Sequence, residues 1–345
     1  MSSPRLTAAL DSGSLVLPEG RIAVFAPAMG ADLSALSREP VQIISRFAPD
    51  AAYWQGLGYD VRQAPEGDYA AAVVMIPRAK DAAKGLLAEA AAHATLLIVD
   101  GQKTDGIDSI LKSLKAIATP DAVQSKAHGK IFWLASPDLA DWAARPRTVD
   151  GDFITRPGVF SADGPDKGSQ ALVAALPTLT GHVIDLGAGW GFLSRAILSQ
   201  PGVTTLDLVE ADLTALDCAR ENVTDPRAQF YWADATRFEP RALADTVVTN
   251  PPFHVSRAGD PGLGRAFIDA AADMLEPGNR RHIRVQGHPR GETPSRPALI
   301  RPNLPQRLQE TPCPFPSQAR PPSLPVQPMA WASLLRGISS SRARM

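Results

Sequence analysis

The tetrapeptide Asn250-Pro251-Pro252-Phe253 carries the most chemically specific residues of this sequence. Paired prolines fix the backbone and remove two N–H donors, which leaves the side-chain carbonyl of Asn250 and the main-chain carbonyl of Pro251 as acceptors. Two such acceptors can hold a planar amine by both hydrogens, with its lone pair turned toward an electrophile, while Phe253 offers a face for stacking a base. We therefore predict that these four residues are catalytic; a structural Pro-Pro turn is the alternative.

A second motif, Asp185-Leu-Gly187-Ala-Gly189-Trp-Gly191, follows an apolar run and opens a helical pattern. Its glycines let the backbone approach a ligand and leave helix N–H groups pointing at it. The spacing differs from the Gly-x-Gly-x-x-Gly of dinucleotide folds, and Asp185 would repel a pyrophosphate but suit a cationic amino-acid group. The motif therefore favours S-adenosylmethionine as the cofactor, bound by Asp185, Gly187, Gly189 and Gly191; a plain glycine turn is the alternative.

Two further carboxylates lie at the ends of predicted strands. Glu210 ends the second strand, where a carboxylate can accept both hydroxyls of a ribose at the carboxyl edge of a sheet. Asp234 ends the third strand and could accept a hydrogen bond from an adenine amino group, although aspartate after a strand is also a common helix cap. We predict that both residues bind the cofactor.

The elements that would position these motifs alternate between strand and helix patterns over residues 151–278. Short β-rich apolar runs and helical patterns begin in turn at His182, Gly191, Thr205, Asp212, Gln229, Asp245 and Gly262. This alternation predicts a mostly parallel sheet with helices on both faces.

Residues 1–150 repeat the same rhythm more faintly and are predicted to form a related α/β domain. Strand patterns begin at Arg21, Val41, Ala71 and Thr95, with a helix over roughly 78–92. In place of the glycine loop stands Ala26-Pro-Ala-Met-Gly, which lacks the acidic residue and two of the three glycines, so we expect that any cofactor site there has been lost. The predicted linker is 145–151, whose proline and glycine suit a connector.

Residues 279–345 differ abruptly from the rest of the chain. They contain 12 prolines and 11 arginines but no lysine or aspartate, and they show no sustained apolar period, so a largely disordered tail is predicted. After Gly278 the segment Asn-Arg-Arg-His-Ile-Arg stands where the first half has the strand at Thr95, and we expect this strand to be missing. A frameshift in a GC-rich gene and a natural basic tail that attracts RNA are the two hypotheses for this segment.

Charge and composition limit the classes of function. The formal charge is −2 over residues 1–150, −8 over 151–278 and +9 over 279–345, and the acidic body argues against tight autonomous RNA binding. Cys218 and Cys313 match no zinc or disulfide spacing, so no metal is expected. No signal pattern or membrane-length apolar run is present, and we expect a cytoplasmic protein without a membrane partner.

Residues 1–278 resemble the class I methyltransferases, and more narrowly the ribosomal small-subunit methyltransferase C family of guanine-N2 enzymes. The resemblance rests on the acidic glycine loop, on Asn250-Pro-Pro-Phe-His, on the segment Pro157-Gly-Val-Phe-Ser-Ala-Asp-Gly-Pro-Asp-Lys-Gly-Ser and on the degenerate first half. The family normally continues after Gly278 with a strand, a helix and an antiparallel strand pair, and the sequence departs from it there.

The resemblance implies several further expectations. In that family the segment ahead of the first strand folds over the cofactor, which gives Phe160, Asp166 and Gly168 a cofactor-lining role, and the first half helps to place RNA. His254 needs no catalytic role, because a guanine amine loses its proton only after methyl transfer.

The expected fold class is α/β, with two Rossmann-like methyltransferase domains. Residues 1–150 would be the degenerate domain, residues 151–278 the catalytic domain that binds S-adenosylmethionine and lacks its last strands, and residues 279–345 the tail. The expected activity is methylation of guanine N2 in small-subunit ribosomal RNA, with the RNA or the small ribosomal subunit as partner and a monomeric enzyme. Adenine N6, cytosine N4 or a protein glutamine amide would suit the same acceptors, and a catalytically impaired RNA-binding remnant is the rival from another class.

Overall fold

The structure, a computed structural model, describes residues 4–251, 261–276 and 283–284, all within one contact unit that spans Met1–Arg301. The first seven strands are β1 (Ile22–Phe25), β2 (Val41–Ile44), β3 (Asp60–Arg62), β4 (Tyr69–Met75), β5 (Ala94–Gln102), β6 (Ala122–Lys126) and β7 (Gly129–Ala135). The first four helices are α1 (Pro4–Asp11), α2 (Ala48–Gly56), α3 (Lys80–His93) and α4 (Ile107–Leu114). Short 3-10 helices cover Lys103–Asp105 and Ala140–Trp142.

The first sheet has the order β3-β2-β1-β4-β5-β7-β6. Strands β1 to β5 pair in parallel, whereas β7 is antiparallel to both β5 and β6. Both faces are covered, because Ala23 and Phe25 pack in one apolar core while Val24 packs in the core on the opposite face. Burial on both faces explains why these strands read as continuous apolar runs rather than as alternating patterns.

The predicted linker folds into a hairpin. Strands β8 (Arg147–Val149) and β9 (Phe153–Thr155) pair in antiparallel fashion. Asp150 and Gly151 both have positive φ, 47° and 89°, and an Asp-Gly pair is a common hairpin turn. The predicted linker thus contains a hairpin, in which the glycine turns one strand back on another, and its position as the boundary between the two halves stays a prediction.

The second sheet has the order β12-β11-β10-β13-β14, with all neighbours parallel. Its strands are β10 (Gly181–Leu186), β11 (Val203–Glu210), β12 (Ala228–Trp232), β13 (Thr246–Val248) and β14 (Ile283–Arg284). The accompanying helices are α5 (Lys167–Ala174), α6 (Phe192–Leu198), α7 (Leu213–Asn222) and α8 (Pro261–Asp273). This order matches the first five positions of the first sheet, so the predicted α/β class with two Rossmann-like sheets is confirmed.

Strand β14 corrects the expectation that no strand follows the last helix. Ile283 and Arg284 pair in parallel with Val247 and Val248 of β13. Backbone N–H and C=O groups are sufficient for such pairing, so a segment without an apolar strand pattern can still occupy the edge. The rest of the tail prediction, and the further helix and strand pair of the family, concern residues outside the described ranges.

The two sheets meet where β2 and β11 end. The Ala48 amide donates to the Ala211 carbonyl at 2.9 Å, and the Leu213 amide donates to the Arg46 carbonyl at 2.8 Å. Phe47 and Asp212 form an antiparallel bridge between these bonds. The segment just after Glu210 is therefore paired with the first half of the chain. The exact domain boundaries stay predictions.

Among the described residues, no helix is both long enough and apolar enough to cross a membrane.

An ion pair lies at the amino edge of the second sheet, away from the strand ends that carry the motifs. His182 Nε2 is 3.0 Å from Asp207 Oδ2, and its Nδ1 is 3.3 Å from the Leu243 carbonyl. Both neighbours are acceptors, so only the doubly protonated ring can donate to both. The hydrogen bond to Asp207 is the largest cause that raises the pKa of His182 above its usual 6.5.

We expect His182→Gln to lose stability relative to the native chain only when the ring is protonated. Because the pKa of His182 is raised in the folded state, its contribution to the free energy of unfolding is complete below about pH 6.5. This contribution disappears as the pH rises through the raised pKa. Urea unfolding at pH 6, 7, 8 and 9 would measure this as a free-energy difference that shrinks with pH. Asp207→Asn, which removes the charged acceptor, provides the matched control. A difference in the free energy of unfolding that is constant with pH would contradict the ion pair between His182 and Asp207.

Candidate active site

The carboxyl ends of β10 and β13 meet at one cavity. Its described lining consists of Phe160, Ser161, Pro165, Asp166, Ser169, Gly187, Ala188, Gly189, Trp190, Phe192, Leu193 and Asn250. Parallel pairing of β10 with β13 brings the glycine loop and Asn250 together, because the carboxyl ends of parallel strands lie on one edge. The structure therefore combines the two motifs that the sequence singled out.

The glycine loop turns sharply between β10 and α6. Gly187, Gly189 and Gly191 have φ angles of 80°, 56° and 90°, a region that side chains disfavour. A Cβ on Gly191 would come within 2.9 Å of Val223, whereas nothing lies within 4 Å of a Cβ on Gly189. Gly191 thus allows close packing on α7, and Gly189 faces open space beside the cavity.

Asp185 is fully buried beneath this loop. Its Oδ2 accepts a hydrogen bond from the Ser194 hydroxyl at 2.6 Å, and its Oδ1 has no hydrogen-bond partner among the described residues. Burial raises the pKa of Asp185 to about 7, with Ser194 opposing and Glu210 adding to the rise. A buried carboxylate oxygen without a donor is suited to a ligand that brings a positive charge or N–H groups.

Glu210 links the end of β11 to the glycine loop. Its Oε2 accepts from the Gly189 amide at 2.8 Å, and its Oε1 accepts from the Asp212 amide at 2.9 Å. Burial raises the pKa of Glu210, and these backbone bonds oppose the rise. Each carboxylate oxygen can accept a second bond, so the predicted contact with ribose hydroxyls is compatible with the geometry and stays a prediction.

Asp234 forms a local turn. Its Oδ1 accepts from both the backbone amide and the hydroxyl of Thr236, at 2.9 and 2.7 Å. This is an Asx turn and not the helix cap that the sequence offered as the alternative, because no helix begins between β12 and β13. Asp234 does not line the described cavity, and a contact between its other oxygen and a cofactor stays a prediction.

Asn250 lies just beyond β13, and its side chain contacts the start of α5. Its Nδ2 is 3.3 Å from Asp166 Oδ2 and 3.0 Å from Ser169 Oγ. Asp166 Oδ1 also accepts from the amides of Gly168 and Ser169, as the N-cap of α5. Asp166 and Gly168, expected to line the cofactor, thus lie beside the Asn250 amide, and only Asp166 of the two lines the cavity.

Trp190 and Asn222 support the loop and were not predicted. Trp190 is buried, and its Nε1 donates to the Phe160 carbonyl at 3.0 Å. Asn222 Nδ2 donates at 2.8 Å to the carbonyls of both Trp190 and Ile154. Trp190 lies within the recognised loop, so its packing could have been suspected, whereas no sequence signal marks Asn222.

The remaining predicted residues have different outcomes. Phe160 lines the cavity, and 65% of its surface is exposed. Pro251 is buried after β13. Pro252, Phe253 and His254 lie outside the described residues. Within the described ranges, no group of His, Cys, Asp and Glu is arranged to hold a metal ion.

A larger cavity of about 770 Å³ lies at the carboxyl edge of the first sheet. Its lining includes Ser45 and Arg46 after β2, Glu89 of α3, and Arg156 and Asp212 from the second half. No acidic residue ends β2, in contrast to Glu210 on β11. The expected loss of a cofactor site in this half stays a prediction.

Comparison with known proteins places this site in a family. The family model described as methyltransferase small domain matches residues 150–291. The ribosomal RNA small subunit methyltransferase C of Pseudomonas aeruginosa strain UCBPP-PA14 is 32% identical over 257 residues, which cover 70% of this chain and 74% of the relative. The chain belongs to the ribosomal RNA small subunit methyltransferase C family.

A second relative of the same name and a solved structure of similar fold also match the chain. The Hahella chejuensis protein of the same name is 26% identical and covers 77% of this chain and 83% of its own length. The T. thermophilus 16S rRNA N2 G1207 methyltransferase, solved with AdoMet and guanosine, superposes with a TM-score of 0.64. That alignment covers 78% of this chain and 81% of the neighbour at 24% identity, and it shows the shared fold.

We expect Asp185→Asn to change stability in a pH-dependent way. Because the pKa of Asp185 is raised from 3.8 to about 7, its ionisation destabilises the native state progressively from about pH 4 up to pH 7. The variant should therefore gain a few kcal/mol relative to the native chain between pH 5 and pH 8, since one pKa unit corresponds to about 1.4 kcal/mol. Urea unfolding at pH 5 and pH 8 measures the gain, and an equal difference at both pH values would refute the buried ionisation. Ser194→Ala removes the hydrogen bond that opposes the rise in the pKa of Asp185 and should keep a pH-dependent stability.

Proposed function

We propose that this chain transfers a methyl group from S-adenosylmethionine to the N2 amine of a guanine in small-subunit ribosomal RNA. The observation that carries the proposal is the shared cavity of Asn250 and the Gly187–Gly189 loop. Family membership supports the reaction, and the solved neighbour binds both AdoMet and guanosine.

The residues beneath and beside the glycine loop are suited to hold the cofactor. S-adenosylmethionine, when bound, supplies an electrophilic methyl group on a positively charged sulfur. Asp185 Oδ1, to which no described residue donates, would balance the positive amino-acid end of the cofactor. Glu210 has acceptor capacity left for ribose hydroxyls after its bonds to Gly189 and Asp212.

Asn250 would hold the amine that is methylated. Its Nδ2 already contacts Asp166 and Ser169, and no described residue donates to its Oδ1. This oxygen can therefore accept one amine hydrogen, while the carbonyl of Pro251 accepts the other. Fixing both hydrogens orients the nitrogen lone pair, and such positioning is a large part of catalysis when a reaction needs no strong base.

The nature of the amine follows from the relatives rather than from the acceptors. Adenine N6, cytosine N4 and a glutamine amide present the same two hydrogens, so Asn250 alone does not select guanine. Guanosine in the solved neighbour favours guanine.

We further propose that the enzyme acts as a cytoplasmic monomer, because ribosomal RNA is its substrate and one chain contains both motifs.

The proposal can be tested with purified full-length protein, methyl-labelled S-adenosylmethionine, and small-subunit RNA offered free or as assembled subunits. Digestion of the RNA to nucleosides should show label in N2-methylguanosine. Label in N6-methyladenosine or N4-methylcytidine would show that the methylated base is adenine or cytosine and not guanine. Cofactor binding without any transfer would mark the chain as a catalytically impaired remnant.

Two variants should separate binding from transfer. Asp185→Ala should abolish micromolar cofactor binding in calorimetry, because it removes the buried negative charge. Asn250→Ala should retain binding but lower kcat by about 100-fold or more, because the amine loses its orienting acceptor. Gln124→Ala, a surface amide change in the first sheet, serves as control; equal activity of Asn250→Ala and this control would remove Asn250 from the mechanism.

A further inference from the structure

We propose that Asp166 and Ser169 are positioning residues that set the direction of the Asn250 amide, so that its oxygen rather than its nitrogen faces the substrate amine. This inference rests on the proposed function, because the direction matters only if an amine is bound there. Ser169 has no role implied by the resemblance, and Asp166 was expected only to line the cofactor.

A carboxamide can occupy the same space in two directions. Its oxygen accepts hydrogen bonds and its nitrogen donates them, and half a turn about the last side-chain bond exchanges the two. An Asn250 nitrogen turned toward an amine would place donors against donors. The site therefore needs a device that discriminates between two nearly isosteric arrangements.

Asp166 supplies that discrimination because an ionised carboxylate only accepts hydrogen bonds. Its Oδ2 is 3.3 Å from Asn250 Nδ2, and Ser169 Oγ is 3.0 Å from the same nitrogen. The reversed amide would put Asn250 Oδ1 against the carboxylate. The carboxylate of Asp166 thus makes one direction of the amide strongly preferred, and the Ser169 hydroxyl, which can donate as well as accept, adds a second hydrogen bond to the nitrogen in that direction.

The two acceptors are themselves fixed by the first turn of α5. Asp166 Oδ1 accepts from the Gly168 and Ser169 amides at 2.8 and 3.2 Å, so the cap bonds leave Oδ2 facing Asn250. A Cβ on Gly168 would lie 2.8 Å from Asp166 Oδ1 and 3.4 Å from Asn250 Oδ1. The absence of a side chain at Gly168 therefore permits the cap and the amide to lie this close.

Asp166→Ser separates helix capping from amide orientation, since serine is also a favourable N-cap. We expect Asp166→Ser to keep its thermal midpoint and its KM for cofactor and RNA within about twofold, while kcat falls about 10-fold. Asp166→Asn should lower kcat further, because its own amide can donate toward Asn250 and favour the reversed direction. Ser169→Ala should lower kcat a few-fold.

A reciprocal exchange distinguishes orientation from general damage. In Asp166→Asn combined with Asn250→Asp, the introduced amide can donate to the introduced carboxylate, which presents oxygen in either direction. We expect kcat of the double variant to exceed that of Asn250→Asp alone by about 10-fold, as coupled residues require. A double variant no better than Asn250→Asp would overturn the proposal, since the two side chains would then act independently.

A measurement without substrate keeps this inference separate from the proposed function. In protein labelled with ¹⁵N-asparagine, the Asn250 side-chain amide is assigned by its loss in Asn250→Ala, and its hydrogen exchange with water is measured. Exchange should be about 10-fold faster in Asp166→Ser than in the native chain. Equal exchange rates would refute the orientation even in an active enzyme, whereas slow native exchange in a chain without methyl transfer would support the orientation and refute the function.

Discussion

Parallel pairing of β10 with both β11 and β13 is the constraint on which the site depends. The three strands end on one edge, and there Asp185, Glu210 and Asn250 come together from distant parts of the sequence. Helices on both faces bury the strands, so the register cannot slip without moving apolar side chains out of a core. The relative positions of the polar side chains in the site are therefore set by backbone hydrogen bonds, which are the same for every residue type.

Placing charge at this edge conflicts with stability. Asp185 is fully buried, and one of its oxygens has no donor within the part of the chain that the structure describes. A fold selected for stability alone would avoid this arrangement. Glu210 is also buried enough for its pKa to rise, but two backbone amides compensate it. The least compensated carboxylate is therefore the one for which the sequence predicts a cationic ligand.

Sequence reasoning predicted the local features well and the distant contacts poorly. Strand and helix patterns identified the parallel cores and the loops at their ends, because period and turn chemistry are local properties. The contact of Asn250 with Asp166 and Ser169 spans more than 80 residues, and nothing in either segment specifies the other. The β8–β9 hairpin and β14 were missed for a different reason, since short pairings depend on backbone groups that every sequence supplies.

The bridge between Phe47 and Asp212 has a consequence for the first half of the chain. The backbone that leaves Glu210 is hydrogen-bonded to the residues that leave β2, so the first half supplies part of the scaffold behind Glu210. The first half, in which Ala26-Pro-Ala-Met-Gly follows β1, is therefore constrained in sequence at this end. The first half would need to keep this backbone geometry for as long as the second half is a functional enzyme.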